Sequence, residues 1–252
     1  MIGVDALHKS YGDTVVVDHV SIEIPAGGVT SIIGPNGAGK STLLSMIARL
    51  LPADAGHVHV DELDVATAPS DEVARRLSIL RQDNHLAVRL TVRDLVGFGR
   101  YPWSKGRPTV ADRGHIERAI AHVGLVDLAD RFLDEMSGGQ RQRAFVAMVL
   151  AQDTEYVLLD EPLNNLDMKH AVSMMRRLRS AADELGRTVV MVLHDINFAS
   201  CYSDRIIAMR DGAVVHQGTP AEIMTEPVLR DVYDMDIRIE EVGGRRIGVY
   251  FT

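Results

Sequence analysis

One cysteine, Cys201, in 252 residues excludes a disulfide framework. A reducing compartment fits this, and Cys201 reads as a small core residue. Nowhere does a charge-free apolar stretch approach the ~18 residues that a membrane-spanning helix needs. The longest candidate, Ala144 to Ala151, is far too short. Met1-Ile2-Gly3-Val4-Asp5 has no basic start followed by an apolar run, so no secretory signal is expected. Basic residues are in deficit, 27 against 35 acidic, for a formal net charge of -8. That argues against a nucleic-acid binder, which needs a basic footprint. Repeats, low-complexity runs and obvious linkers are missing too. What remains is 46% apolar and 25% charged residues, an ordinary globular composition with ample material for a core.

Local patterns then assign elements. Val20, Ile22 and Ile24 alternate with Ser21 and Glu23 and stop at Pro25, which is a half-buried strand. Val29 to Ile33 is a short apolar run ending at Gly34. From Lys40 the period becomes helical, with Leu43, Leu44, Ile47, Leu50 and Leu51 in step. The middle, from about His85 to Ala151, reads mostly helical. Thr91 is placed to cap a helix carrying Val92, Leu95 and Val96. Tyr101 to Thr109 reads as a loop broken by Pro102, Gly106 and Pro108, and Ile116 to Val123 as a helix ended by Gly124. Tyr156 to Leu159 and Val189 to Leu193 are buried strands ending at Asp160 and His194. Apolar runs separated by helices predict a mostly parallel sheet covered on both faces, with the chemistry at the strand ends. Ile237 and Ile239, then Ile247, Val249 and Phe251, flank Gly243-Gly244 as a β-hairpin.

Gly34-Pro35-Asn36-Gly37-Ala38-Gly39-Lys40-Ser41 matches the G-x-x-x-x-G-K-[ST] phosphate loop, after a strand and before a helix. Its glycines let successive N–H groups turn inward, and the helix start adds unpaired N–H groups and a positive dipole end. Lys40 supplies charge to the β- and γ-phosphates, the Ser41 hydroxyl a ligand for Mg²⁺, and Thr42 a further phosphate contact. Downstream, an apolar strand delivers Asp160-Glu161 at its end. Neighbouring strand residues face opposite ways, so the two have different jobs. Asp160 suits Mg²⁺, and Glu161 suits polarising the water that attacks the γ-phosphate.

Met136-Ser137-Gly138-Gly139-Gln140 resembles the signature sequence of ABC transporter ATP-binding subunits, Met136 standing in mildly for the common leucine. The resemblance covers nearly the whole chain. It implies an α/β fold with a P-loop NTPase core, an N-terminal antiparallel β portion and an inserted α-helical subdomain. The expected division is one domain, with the core at 1–85 and 152–230, the helical subdomain at 86–151 and the tail hairpin at 231–252. The resemblance further implies that Gln82 is the Q-loop glutamine contacting Mg²⁺ and that Tyr11 stacks on adenine. Asn164-Asn165-Leu166-Asp167 then forms the D-loop, and His194 is the switch histidine at the γ-phosphate.

Ser137 and Gln140 also make a capping box, with a helix confirmed by Ala144, Phe145, Met148 and Val149. The cap leaves Gly138 and Gly139 unexplained, since each costs about 1 kcal/mol relative to alanine in a helix. Glycines fit if something approaches the backbone closely. In the family that is the γ-phosphate on a second copy, the two chains packing head to tail.

The resemblance implies an ATPase using ATP and Mg²⁺, partnered by a second copy, by membrane permease subunits and indirectly by a substrate-binding protein, with no nucleic acid. It places the chain peripherally on the cytoplasmic face of the inner membrane. Gly99 to Arg107, Asn164 to His170 and Tyr233 to Ile237 are similar to ferric-siderophore importers. Haem or cobalamin import is the alternative, and a non-transport ABC ATPase a remoter one. For the tail hairpin, three roles stay open: core stabilisation, dimerisation and regulation.

Overall fold

Strand β1 (Ile2–Tyr11) and strand β2 (Thr14–Ile24) form an antiparallel hairpin. Along β2, Val20, Ile22 and Ile24 are buried and Ser21 and Glu23 exposed, as the alternation requires. In the computed structural model, which describes residues 1–82 and 88–251, the chain continues through β3 (Gly28–Ile33), α1 (Lys40–Ile47), β4 (Ala55–Val60) and β5 (Leu63–Asp64). Next come α2 (Ser70–Arg76), β6 (Leu77–Leu80), α3 (Val92–Phe98), α4 (Tyr101–Ser104), α5 (Val110–His122) and α6 (Gly138–Ala151). After β7 (Tyr156–Asp160), α7 (Met168–Leu185) and β8 (Thr188–Val192) lie α8 (Ile196–Tyr202), β9 (Arg205–Arg210) and β10 (Ala213–Gly218). Helices α9 (Pro220–Ile223) and α10 (Glu226–Tyr233) and strands β11 (Arg238–Val242) and β12 (Arg245–Val249) follow.

Two compact units emerge. One comprises Met1–Ala68 with Thr188–Thr252, the other Pro69–Arg187. The sequence reading divides the chain instead at 85/86 and 151/152, the first of which lies outside the described residues.

In the first unit, one sheet has the order β2-β1-β4-β5 and is the antiparallel β portion. In a second, β3 lies parallel between β8 and β9, and β10 closes antiparallel on β9. Strands β3 and β8 are near-continuous apolar runs because both faces are covered. Ile2, Leu7, Ile24, Ile32, Leu43 and Leu44 are at most 1% exposed. Burial of such side chains contributes about 1.5–3 kcal/mol each. Helix α1 stops at Ile47, short of the expected Leu50 and Leu51: Arg49 takes φ +58°, which ends the turn, and Leu50 is exposed. Strands β11 and β12 meet at Gly243 and Gly244, both left-handed, as a two-residue hairpin turn demands.

In the second unit, β6 pairs parallel with β7, and helices α3, α5 and α6 pack on one another. Thr91 caps α3 through a reciprocal box with Asp94. Thr109 and Asp112 do the same for α5, which therefore begins well before the expected Ile116. Tyr101 to Ser104, expected as loop, forms a helical turn. Pro102 is tolerated there because a first-turn N–H has no helical partner to lose. Lys105 and Gly106, both at positive φ, end it.

Candidate functional site

Strand β3 runs directly into the phosphate loop of the first unit. Gly34 has φ +144°, and a Cβ there would lie 2.0 Å from the Met209 carbonyl oxygen. Gly39 has φ +92°, and its Cβ would lie 2.3 Å from the Val16 oxygen. No side chain is tolerated at either point, so the backbone itself forms the cradle. Gly39 caps α1 without any side-chain hydrogen bond, and the first turn holds no acid. The helix thus offers N–H groups and positive dipole to an anion. Lys40, 5% exposed, donates from Nζ to the Gly34 and Pro35 carbonyls at 2.8 and 2.7 Å, which poises the ammonium over the loop. Pro35, Ser41 and Thr42 are half-buried, Ala38 buried, and Asn36 and Gly37 exposed.

His194 leaves the end of β8, whose Val192 pairs with Ile32 of β3, so His194 and Gly34 follow neighbouring parallel strands. The histidine is exposed. Asp195 beside it caps α8, accepting from the Asn197 and Phe198 N–H groups at 2.7 and 3.3 Å. Strand β12 secures that helix: Asn197 and Gly248 exchange two hydrogen bonds, and the Ser200 hydroxyl donates to the Arg246 carbonyl. Tyr11, 53% exposed, stands at the tip of the β1–β2 hairpin with the Lys9 ammonium 5.7 Å from its ring centre. Its open face fits stacking on a planar base. Tyr233, at the end of α10, was not legible as a site residue. Burial pushes its phenol well up, against the opposing pull of the Gly34 backbone beside it.

In the second unit, all five residues of β7 are buried, and Leu80 of β6 pairs with Leu159. That register sends Gln82 and the Asp160-Glu161 pair off the same sheet edge. Asp160 is 5% and Glu161 8% exposed. Glu161 takes φ +52°, a conformation costly for a side chain of its size. The Asn164 side-chain amide donates to its carboxylate, and the Gln142 amide to its carbonyl at 3.4 Å. Asp167 is exposed and caps α7. The His170 backbone N–H, then its ring, hold its carboxyl below the usual range.

The signature stretch caps α6 as its sequence implies, Ser137 Oγ accepting from the Gln140 N–H and Gln140 Oε1 from the Ser137 N–H. Its glycines have a cause inside the chain. A Cβ on Gly138 would lie 3.3 Å from Asn165 Cβ, and one on Gly139 3.1 Å from the Asn165 oxygen and from Leu166. Asn165 and Leu166 therefore crowd both positions closely enough that a side chain there would have to push them aside by a few tenths of an ångström. Ser137 and Gly138 remain exposed.

A family model described as ABC transporter matches residues 17–164, more than half of the chain. The chain belongs to the ABC transporter family. It is 51% identical, across the full length of both chains, to the petrobactin import ATP-binding protein YclP of Bacillus subtilis (strain 168). It is 54% identical to the petrobactin import ATP-binding protein FatE of Bacillus anthracis, over 99% of this chain and 100% of that one. Among solved structures it is similar to a dimeric ATP-binding cassette in a post-hydrolysis state bound to ADP and Pi. The TM-score is 0.79 at 29% identity, over 87% of this chain and 99% of that one. As an ABC ATP-binding subunit, the chain is an ATPase. Among the described residues no helix is long and apolar enough to cross a membrane.

Proposed function

We propose that this ABC ATPase drives uptake of a ferric siderophore, with petrobactin the first candidate, through a partner permease. The full-length match to two petrobactin import subunits carries the reading. In this reading the chain sits peripherally on the cytoplasmic face of the membrane.

The residues fit the nucleotide and its metal. The cradle at Gly34, Gly37 and Gly39 with the open end of α1 accepts phosphates. Tyr11 takes adenine. Ser41, Gln82 and Asp160 are all oxygen donors, the set Mg²⁺ prefers, and the ion would neutralise charge developing on the phosphates. Glu161 orients the attacking water and His194 contacts the γ-phosphate. Two copies close head to tail, Ser137 to Gln140 of each facing the other's nucleotide and Asp167 at the crossing. The dimeric state of the similar cassette supports this arrangement.

Uptake of labelled ferric petrobactin into vesicles bearing the cognate permease tests the reading. ATP-dependent accumulation of the siderophore, and not of haem or cobalamin, is expected. Accumulation of haem or cobalamin alone would sink it.

A further inference from the structure

The β1–β2 pairing slips between Leu7, opposite Val20, and Lys9, opposite Val17. One residue of β1, His8, therefore faces two of β2, Asp18 and His19. This is a β-bulge, and His19 holds it with φ +46°. A left-handed backbone is strained for a non-glycine residue inside a strand. The bulge has a chemical consequence: it turns three metal-ligating side chains onto one spot.

One ring nitrogen of each histidine and a carboxylate oxygen of Asp18 lie within 4.8 Å of one another. His19 Nδ1 is 2.8 Å from Asp18 Oδ1, and the two imidazole centres are 4.6 Å apart. His8 Nδ1 is buried without a hydrogen-bond partner, its distance to Asp18 Oδ1 being 3.6 Å, too long for a hydrogen bond. A buried polar atom that makes no hydrogen bond is unfavourable, even at ion-pair distance from a carboxylate. Here it points towards a carboxylate that one intervening ion would join to it.

We propose that His8, Asp18 and His19 bind one late first-row divalent ion, Zn²⁺ or a neighbour of similar preference. Two imidazoles and one carboxylate are a borderline nitrogen–oxygen set of the kind such ions take. Mg²⁺ prefers oxygen alone, so this site is separate from the nucleotide's metal. Bonds of about 2.0–2.2 Å at tetrahedral angles put donors roughly 3.3–3.6 Å apart, so His8 Nδ1 and Asp18 Oδ1, at 3.6 Å, already stand near that spacing, while His19 Nδ1, at 2.8 Å, must swing away from Asp18. His19 and Asp18, at 67% and 55% side-chain exposure, have room to rotate, while His8, at 21%, forms the fixed wall. Water completes the shell.

The test titrates nucleotide-free, chelator-stripped protein with Zn²⁺ against a chromophoric competitor. One ion per chain is expected. Loss of even an outer-shell partner weakens metal sites roughly 10–100-fold, so H8Q and H19Q should each raise Kd at least about tenfold. NMR of the wild type, independent of any variant's folding, reads the ten histidines directly. The ring signals of His8 and His19 should respond first to substoichiometric Zn²⁺. Unchanged affinity in both variants, or first response from other histidines, overturns the proposal.

Discussion

Asn164 donates its side-chain amide to the carboxylate of Glu161 across a turn that Glu161 itself opens at φ +52°. The strand thus ends by pinning one acid in a strained conformation, a feature concentrated at functional sites. Glu161→Gln should keep ATP affinity while turnover falls about 10²–10⁴-fold, the usual contribution of a general base. Light scattering should then show an ATP-trapped dimer. Turnover near the wild-type rate would remove Glu161 from its assigned role.

Ser137→Arg places a bulky cation at the exposed start of α6. Steady-state ATPase should collapse, while nucleotide titration of the isolated monomer stays near wild type. If the monomer loses affinity, the head-to-tail arrangement is wrong.

The phosphate-loop glycines should rank by what surrounds them. Gly34→Ala forces a Cβ into the Met209 carbonyl, whereas nothing lies within 4 Å of a Cβ on Gly37. Gly37→Ala then carries only the left-handed penalty of about 1–2 kcal/mol. Thermal melts should place Gly34→Ala well below Gly37→Ala, and equal melting points would contradict the cradle geometry.

Arg100 and Asp112 form a buried ion pair, Nε to Oδ1 at 2.8 Å, with Arg100 also donating to the Ala151 and Gln152 carbonyls. The Thr109 backbone N–H, then Arg100, hold the Asp112 carboxyl down at about 2. A depressed carboxyl stabilises the fold above its unfolded pKa of about 3.9. That stabilisation is lost as pH falls through about 2. Asp112→Ala strands the guanidinium and should cost about 3–5 kcal/mol at neutral pH. Urea midpoints at pH 7 and across pH 4 to 2 check both statements: the wild type should lose stability faster than Asp112→Asn on acidification.

The phosphate loop, the acidic pair and the signature cap were legible because each is a local pattern with a local physical cause. So were β2, β3, β7 and α3. The start of α5 was missed because the apolar residues of its first turn, Val110 and Ala111, are exposed and set no buried period, although Thr109 and Asp112 carried a capping signal. Leu50 and Leu51 continued an apolar period that Arg49 cut by its backbone, which periodicity does not see. Tyr233 was illegible because it meets Gly34 only through tertiary packing. The signature glycines show the same limit: sequence says that something must come near, and only the fold says that it is Asn165 and Leu166.

The bond between Asn197 and Gly248 spans 51 residues. A ribosome delivers His194 and the helix behind it well before the strand that fastens them. The edge of the first unit that carries α8 is therefore finished late in synthesis, and nascent chains short of β12 should expose α8 to protease while the phosphate loop is already made.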